Sequence, residues 1–276
     1  MEFKEIMIEK YPKQGAAIVR HFETGVGKPA IWENITRVNL NIFVRYLKNT
    51  VTQNSARTYA AMVKSVLNNY RDEIELPAKF ENVLRVKDVK CINAFLDEDD
   101  IKKFASYEAK SKRERYVKNI FLIGCLTGAR HSDAITFTTG NILGSRLSYV
   151  SEKTKTLTFV PLSPMVARLI EELPKTEPVN EANFNIAVRK ICKKVGIREK
   201  IKVFRTGRYI EAEKWKFISS HTARRSFATN LCLRDADLYS ISKMMGHSDI
   251  KMTENYICCG LQEQSEYTMR YFNNFK

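Results

Sequence analysis

The first third of the chain repeats apolar positions at intervals of three and four residues, which is the period of amphipathic helices. Thr36 can cap one such helix, and its apolar positions are Leu40, Phe43, Val44 and Leu47. Ser55 can cap the next, whose apolar stripe comprises Tyr59, Met62, Val63, Val66, Leu67 and Tyr70. Residues 12–22 predict an earlier helix that ends near Gly25. Residues 1–77 are therefore predicted to form a small helical bundle.

The periodicity weakens over residues 78–95, where charged and apolar positions mix, and this stretch is predicted to be an interdomain linker. Helical spacing resumes beyond it. An acidic run from Asp97 starts one helix, and Thr127-Gly128 closes another over residues 116–126. Residues 96–276 are therefore predicted to form a second domain.

Two stretches of the second domain favour strands. Residues 146–159 predict a hairpin with a polar turn at residues 153–155, and residues 200–219 predict another around Thr206-Gly207. Helices are expected to begin at Ser163-Pro164 and at Asn180, the latter running to Lys194. The fold class predicted is mainly α with small β-hairpins, arranged in two domains.

Excess positive charge is spread over both predicted domains. The chain has 46 Lys and Arg against 31 Asp and Glu, a formal net charge of +15. Residues 1–95 contribute 15 basic and 10 acidic side chains, and residues 96–276 contribute 31 and 21. Positive surfaces on two bodies suit a polyanion held between them. The alternative is a basic protein that has no such partner.

Cysteine and histidine show no metal-binding pattern. The six Cys include no Cys-x-x-Cys pair, and with the four His they lack finger-type spacing. We therefore expect no metal and no cofactor. The N-terminus has no apolar signal core, and no run approaches a membrane span. These features predict a protein of the reducing cytosol, with free or buried thiols.

Residues 219–256 carry the strongest chemical pattern. His221 and Arg224 share one face of a helical turn that Ser219 or Ser220 can cap. Gly246-His247 follows a further helical segment, and Tyr256 comes nine positions after His247. A phenol, a guanidinium and two imidazoles around one phosphate suit phosphoryl transfer without a metal.

This pattern resembles the tyrosine recombinase (phage integrase) family. The resemblance implies an upstream Arg, supplied by Arg130 in the segment Thr127-Gly128-Ala129-Arg130-His131-Ser132-Asp133. It also implies a hairpin Lys before a Pro-Leu, supplied by Lys153 ahead of Pro161-Leu162. The match covers about residues 97–257. It implies a helical core-binding domain joined to a mixed α/β catalytic domain.

The resemblance also implies a reaction. Tyr256 would attack a DNA phosphodiester to form a 3′-phosphotyrosyl link, and a 5′-hydroxyl would later reverse the step without ATP or metal. Arg130 and Arg224 would hold the phosphate oxygens. Lys153 would protonate the leaving oxygen, with Lys155 as its rival. His221 and His247 would orient the phosphate and help accept the tyrosine proton.

Other residues have supporting or competing interpretations. Asp133 is expected to accept from a nearby backbone or Arg group and fix the geometry, whereas His131 and Arg225 are expected to have no catalytic role. Asp235 stands where many relatives have a turn glycine. Tyr267 and Tyr271 rival Tyr256 by position alone.

Contacts to DNA are harder to assign from the residues. Arg57 and Lys64 lie off the apolar stripe of the N-terminal bundle, where phosphate contact and solvated surface charge are equally good interpretations. The second hairpin also has basic side chains that could touch the DNA backbone: Arg205, Arg208, Lys214 and Lys216.

The expected partner is double-stranded DNA, bound by a homotetramer whose protomers are monomers or weak dimers off DNA. The outcome would be integration, excision or inversion, at a simple site, in the nucleoid-associated cytoplasm of a bacterial cell or of a phage or mobile-element host. The C-terminal tail could dock on its own domain or on a neighbour. Two alternatives stay open: a type IB topoisomerase-like nicking and rejoining enzyme, and a DNA-binding architectural protein without catalysis.

Overall fold

The computed structural model describes residues 1–87, 92–174, 179–205 and 208–258. The chain divides into two compact units, one comprising Met1–Cys91 and Phe204–Arg208, the other Ile92–Val203 and Tyr209–Lys276. Within the described residues, no helix is both long enough and apolar enough to cross a membrane.

The N-terminal unit is a helical bundle, as predicted. Its helices are α1 (Phe3–Lys10), α2 (Gly15–Val26), α3 (Arg37–Thr50), α4 (Gln53–Asn69) and α5 (Phe80–Val83). Helix α1 packs on α2 and α4, and α3 packs on α2, α4 and α5. The apolar stripe predicted for α3 is fully buried, and it meets Val63, Val66 and Leu67 of α4 in one core.

Helix starts in this unit were predicted with mixed success. Thr36 caps α3 by accepting from the Asn39 N–H, as expected. The cap of α4 was predicted wrongly, because Thr52 accepts from the Ser55 N–H and the helix begins three residues before the expected position. Two hydroxyl residues within one turn are equivalent by spacing, so the pattern alone could not rank them.

The helix predicted over residues 12–22 begins later than expected, at Gly15. Its end near Gly25 is confirmed, because the helix stops at Val26 and Gly27 follows in the left-handed conformation with φ +74°. The apolar positions of α1 went unrecognised because that helix has only eight residues.

The N-terminal core extends into the stretch predicted as a linker. Phe80, Leu84 and Val86 are buried in this core, whereas Ala94 and Leu96 are buried in the core of the second unit. Helix α5 spans four residues, too few for a period to show. Residues 88–91 lie outside the described part of the chain. The functional division into residues 1–77, 78–95 and 96–276 stays a prediction.

The second unit combines helices with two small antiparallel sheets. Its helices are α6 (Glu98–Ala105), α7 (Lys112–Thr127), α8 (His131–Ala134), α9 (Pro164–Glu171), α10 (Glu181–Lys194), α11 (Ser220–Cys232), α12 (Leu238–Met244) and α13 (Ile250–Glu254). Its strands are β1 (Ile142–Leu143), β2 (Arg146–Val150), β3 (Leu157–Pro161), β4 (Lys200–Arg205) and β5 (Arg208–Glu213), except that residues 204, 205 and 208 of β4 and β5 are grouped with the first unit. This is the predicted class, mainly α with small hairpins.

Helix α7 is the centre of the second unit. It is apolar on nearly every face from Tyr116 onward, which is typical of a helix surrounded by protein. Helices α6, α8, α9, α10 and α11 all pack against it. Gly128 ends it with φ +69°, and a Cβ there would lie 2.5 Å from the Phe227 ring of α11. A residue with a side chain would therefore push α11 away from α7.

The three-stranded sheet has the order β1-β2-β3. In its hairpin Val150 pairs with Leu157, so the predicted polar turn at residues 153–155 is confirmed. Caps predicted at Asp97, Ser163 and Asn180 are also confirmed, each accepting from a backbone N–H three residues on.

The second hairpin is shorter than predicted. Strands β4 and β5 pair, and residues 214–217 then form a 3₁₀ turn instead of continuing the strand. Its predicted turn at residues 206–207 lies outside the described residues. Lys214 is only 6% exposed and pairs with Asp100 at 2.5 Å and with Asp97 at 3.4 Å. It therefore fastens α6 to the hairpin and is not the surface cation that the sequence suggested.

Candidate active site

Helix α11 positions the first two residues of the pattern. Ser219 is its N-cap, which decides between the two candidate serines. His221 and Arg224 lie one turn apart, as the spacing predicts, but their environments differ. His221 is exposed, whereas Arg224 is 1% exposed and is among the largest fully buried side chains of the described residues.

The Arg224 guanidinium is held by three groups, one after α7 and two after α12. It donates to the Gly128 carbonyl after α7 and to the Met245 carbonyl after α12, and its Nη2 lies 2.6 Å from His247 Nε2. Its Nε–H is buried and has no partner among the described residues. Burial, and then the charge of Arg130, lower its pKa. The group is thus locked in place, and its Nε–H is still available to an incoming acceptor.

The tautomer of His247 follows from its partners. Arginine can only donate, so Nε2 must be the acceptor and must carry no proton. The other ring nitrogen, Nδ1, lies 2.9 Å from Thr253 Oγ1 and therefore carries the hydrogen. The ring is 3% exposed, and burial followed by the charges of Arg224 and Arg130 lowers its pKa to about 4. His247 is a neutral acceptor that orients Arg224.

Gly246 sets the position of the adjacent His247. Its φ of +61° is in the left-handed region, and a Cβ there would meet Thr158 Oγ1 of β3 at 2.7 Å. The Gly246 carbonyl accepts from Thr154 Oγ1 at 3.4 Å. The Gly-His pair is therefore fastened between α12 and the β2–β3 hairpin.

Tyr256 lies just beyond α13, with its ring facing the buried cation. The Arg224 guanidinium carbon is 5.2 Å from the ring centroid, and the His247 ring centroid is also 5.2 Å away. Its carbonyl accepts from Thr229 Oγ1 of α11 at 3.3 Å. By contrast, Tyr149 is buried on β2, and this burial raises its pKa to about 12. Of these two phenols only Tyr256 is half-buried and lines a cavity.

Arg130 is positioned by a serine that the sequence analysis did not single out. Its Nη1 donates to Ser151 Oγ at 2.8 Å, and Ser151 donates to Asp133 Oδ2 at 3.1 Å. The other Asp133 oxygen accepts from the Glu152 N–H at 2.9 Å. Asp133 Oδ2 is 3.9 Å from Arg130 Nη1. Asp133 therefore has the acceptor contacts that the sequence predicted, with Ser151 placed between it and the arginine.

Lys153 and Lys155 occupy the same turn but differ in placement. Lys153 is exposed and lines the cavity that Tyr256 faces. Lys155 does not line this cavity, and its backbone is left-handed with φ +53°. Of the two lysines, Lys153 is the one that lines the cavity.

These side chains surround one open cavity of about 280 Å³. The predicted site residues that line it are Arg130, Lys153, His221, Arg224 and Tyr256. His247 and Asp133 lie behind the arginines, which they orient. A single carboxylate, that of Glu181, lines the cavity against three permanent cations. A site of this sign and size attracts a phosphate diester.

Other sequence candidates lie elsewhere. Arg57 is on the exposed face of α4, beside an open hollow with Tyr11 and Thr58, and Lys64 is half-buried on the same helix. The structure does not test whether either contacts DNA. The rival tyrosines at 267 and 271 lie outside the described residues. Among the residues described, no group of three or more His, Cys, Asp or Glu could hold a metal ion.

His221 is surrounded by charges from several elements. The ring is exposed at the cavity rim, yet desolvation by its neighbours and then the charge of Arg225 lower its pKa, while Glu181 acts in the opposite direction.

The sequence analysis missed three residues that contact the site, namely Ser151, Glu181 and Thr253. No spacing rule marks them, because each meets its partner through tertiary packing.

The sequence profile of the phage integrase family matches residues 94–259, which is more than half of the chain. The chain belongs to the phage integrase family.

Individual relatives are more distant. The chain is 29% identical over 195 residues to the tyrosine recombinase XerC of Rickettsia canadensis, covering 67% of this chain and 62% of that protein. It is 24% identical over 139 residues to the integrase of Escherichia phage P2, covering 50% and 36%. The chain thus spans less than two thirds of the length of these curated relatives.

A solved structure shows the same fold. A lambda integrase fragment, crystallised as a dimer bound to a core site, superposes with a TM-score of 0.67 at 14% identity, covering 92% of each chain. At this identity the likeness concerns the fold.

Proposed function

We propose that this protein is a site-specific DNA recombinase that cleaves and rejoins strands through a 3′-phosphotyrosyl intermediate. The observation that carries the proposal is the placement of the Tyr256 ring over Arg224, 5.2 Å from the guanidinium carbon, at the wall of a cationic cavity. A nucleophile and the group that stabilises the resulting charge are thereby brought to one place.

The two arginines would hold the non-bridging oxygens of the scissile phosphate. Arg130 lines the cavity and is held by Ser151, and Arg224 keeps a buried Nε–H without a partner among the described residues. An unpaired buried donor is costly, and a phosphate oxygen would satisfy it. By analogy with oxyanion-hole donors, each arginine would lower the barrier by about 3 kcal/mol.

The proton transfers are assigned to the exposed groups. Lys153 would protonate the 5′-oxygen as its bond to phosphorus breaks. His221 would take the proton of the attacking Tyr256 phenol. His247 is less suited to this task because its only free acceptor nitrogen, Nε2, already faces Arg224. The sequence suggested both histidines as acceptors of the tyrosine proton, and we assign this role to His221 alone.

Double-stranded DNA is the proposed substrate. The net charge of +15 is shared by both parts of the chain, and the lambda integrase fragment of like fold was crystallised on a DNA core site. The N-terminal bundle, with Arg57 and Lys64, would contact the duplex outside the cleavage point. A homotetramer would exchange strands between two sites, leading to integration, excision or inversion in the nucleoid-associated cytoplasm of the host.

The test begins with a DNA site selected from a random-sequence pool by binding to the protein. A version of this site nicked near the cleavage point should accumulate a covalent adduct with the wild-type protein. Tyr256→Phe should bind the same DNA and form no adduct, whereas Tyr239→Phe, which removes an exposed phenol on α12, should behave as wild type. Adduct formation by Tyr256→Phe would overturn the assignment. Failure of the wild-type protein to cleave, or cleavage without exchange between paired sites, would overturn the proposed recombinase activity.

A further inference from the structure

Glu181 is a carboxylate in a cavity that otherwise favours anions. It is the first residue of α10, capped by Asn180, and it lines the cavity with Arg130, Lys153 and Arg224. A negative charge at this position repels a phosphate. The Glu181 charge therefore weakens DNA binding, so we expect it to contribute to another step of the reaction.

Helix α10 grips the start of α11 with two side chains. Ser220 Oγ donates to Glu181 Oε1 at 2.5 Å, and the Ser220 N–H donates to Asn185 Oδ1 at 2.6 Å. Glu181 and Asn185 are four residues apart, so they lie on one face of α10. Ser220 directly precedes His221. The grip thus fixes the turn of α11 that presents His221 to the cavity.

The charges facing His221 come from three elements. Glu181 of α10 favours the imidazolium form, whereas Arg224 and Arg225 of α11 and Lys153 of the β2–β3 turn oppose it. The neutral ring of His131, at the start of α8, lines the same cavity, and Glu181 acts on it as well. Among the residues that line the cavity, only Glu181 can offset the cations.

We propose that Glu181 is a positioning residue for His221 in the cleavage reaction. It holds the first turn of α11 through Ser220, and its charge stabilises the imidazolium that forms when His221 takes the Tyr256 proton. In this step the phenolic O–H bond breaks, the tyrosine oxygen bonds to phosphorus, and the 5′-oxygen leaves with a proton from Lys153. Rejoining returns both protons. This proposal rests on the proposed function.

The first experiment is independent of DNA cleavage. The chain has four histidines, so their ring signals can be titrated by NMR, with His221→Asn identifying the signal of residue 221. In Glu181→Gln the pKa of His221 should fall by about half a unit to one unit, because a nearby opposite charge is removed. His21, in the N-terminal unit, should titrate unchanged. An unchanged His221 titration would overturn the proposal whether or not the protein cleaves DNA.

The second experiment measures single-turnover adduct formation against pH. Since the neutral ring is the base, the acidic limb of the Glu181→Gln profile should move to lower pH, and the plateau should fall about three- to ten-fold because the base is weaker.

Three control variants separate the charge from the hydrogen bonds. Glu181→Asp, which keeps the charge, should have the acidic limb at the same pH as the wild-type protein. Asn185→Ala, which weakens the grip without changing charge, should lower the plateau but leave the limb in place. Glu171→Gln, which removes an exposed charge on α9, should leave the profile as in the wild-type protein.

Two outcomes of the second experiment contradict the proposal. The first is a Glu181→Gln profile whose acidic limb lies at the same pH as that of the wild-type protein. The second is an equal shift of the acidic limb in Asn185→Ala, which would assign the effect to the hydrogen bonds with Ser220 and not to the charge. Absence of any wild-type adduct would instead count against the proposed function, and the NMR titration would still decide the interaction between Glu181 and His221.

Discussion

Arg224 Nη2 lies 2.6 Å from His247 Nε2, so the most buried cation of the site is hydrogen-bonded to a histidine nitrogen that must be unprotonated. The imidazole is neutral because burial and the charges of Arg224 and Arg130 lower its pKa, and its Nδ1–H donates to Thr253 Oγ1. This contact makes the orientation of the arginine dependent on the protonation state of the histidine.

The first prediction concerns pH and stability. His247 has a pKa of about 4 in the folded chain, below its ordinary 6.5. Between pH 6.5 and pH 4 this histidine binds a proton in the unfolded chain but not in the folded chain. The free energy of unfolding therefore decreases as pH falls from 6.5 to 4. At about 1.4 kcal/mol per pKa unit the loss is about 3 kcal/mol.

The free energy of unfolding should be measured with urea at neutral pH and near pH 5, following Trp215 in a Trp32→Phe background. His247→Gln keeps an acceptor for Arg224 but cannot titrate, so its stability should depend less on pH than that of the parent. Equal pH dependence in the two proteins would refute this account of His247.

The second prediction concerns Ser151. Ser151→Ala removes the hydroxyl that joins Arg130 to Asp133, leaving a buried carboxylate oxygen with one contact fewer. Adduct formation should fall about ten-fold, the effect of losing roughly one buried hydrogen bond, while DNA affinity changes less. Ser148→Ala, on β2 three residues earlier, is the matched control and should cleave normally. Equal rates for both variants would show that Arg130 does not depend on the serine.

The third prediction concerns Gly246. A Cβ at this position requires a strained φ of +61° and meets Thr158 Oγ1 at 2.7 Å, whereas Gly144 has a similar φ of +58° in open space. Gly144→Ala should lower the free energy of unfolding by about 1 kcal/mol from backbone strain. Gly246→Ala should lower it by about 2–3 kcal/mol and should also impair cleavage, because His247 is displaced. Urea unfolding of both variants measures the difference. Equal decreases in the free energy of unfolding would mean that the Thr158 side chain moves aside without destabilising the fold.

The fourth prediction separates Lys153 from Lys155. With an ordinary phosphodiester, Lys153→Ala should slow cleavage by about a hundred-fold or more, the usual contribution of a general acid. A substrate with sulfur as the 5′-bridging atom releases a stable thiolate that needs no proton, so the same variant should cleave it at nearly the wild-type rate. Lys155→Ala should cleave both substrates normally. A deficit of Lys153→Ala on both substrates would mean that the lysine binds phosphate instead of donating the proton.

Local features of the fold could be predicted from sequence because their causes are local. The caps at Thr36, Asp97 and Asn180 each accept from a backbone N–H three residues on, so spacing alone reveals them. Prediction failed where neighbouring residues compete, as at Thr52 and Ser55, and where an element is very short, as in α5. Lys214 was misjudged because its three acidic partners include Asp97 and Asp100, more than a hundred residues earlier in the chain.

The sequence by itself determined the family, the fold class and the pairing of His221 with Arg224 on one helical turn, because residue spacing and motifs reveal these directly. The tertiary structure decided which histidine nitrogen accepts from Arg224, that Ser151 stands between Arg130 and Asp133, and that Glu181 reaches the start of α11. These contacts join residues from 18 to 39 positions apart. Their geometry depends on how α10 and α11 pack on α7 and how α12 packs on β3, and no local preference of the chain encodes that packing.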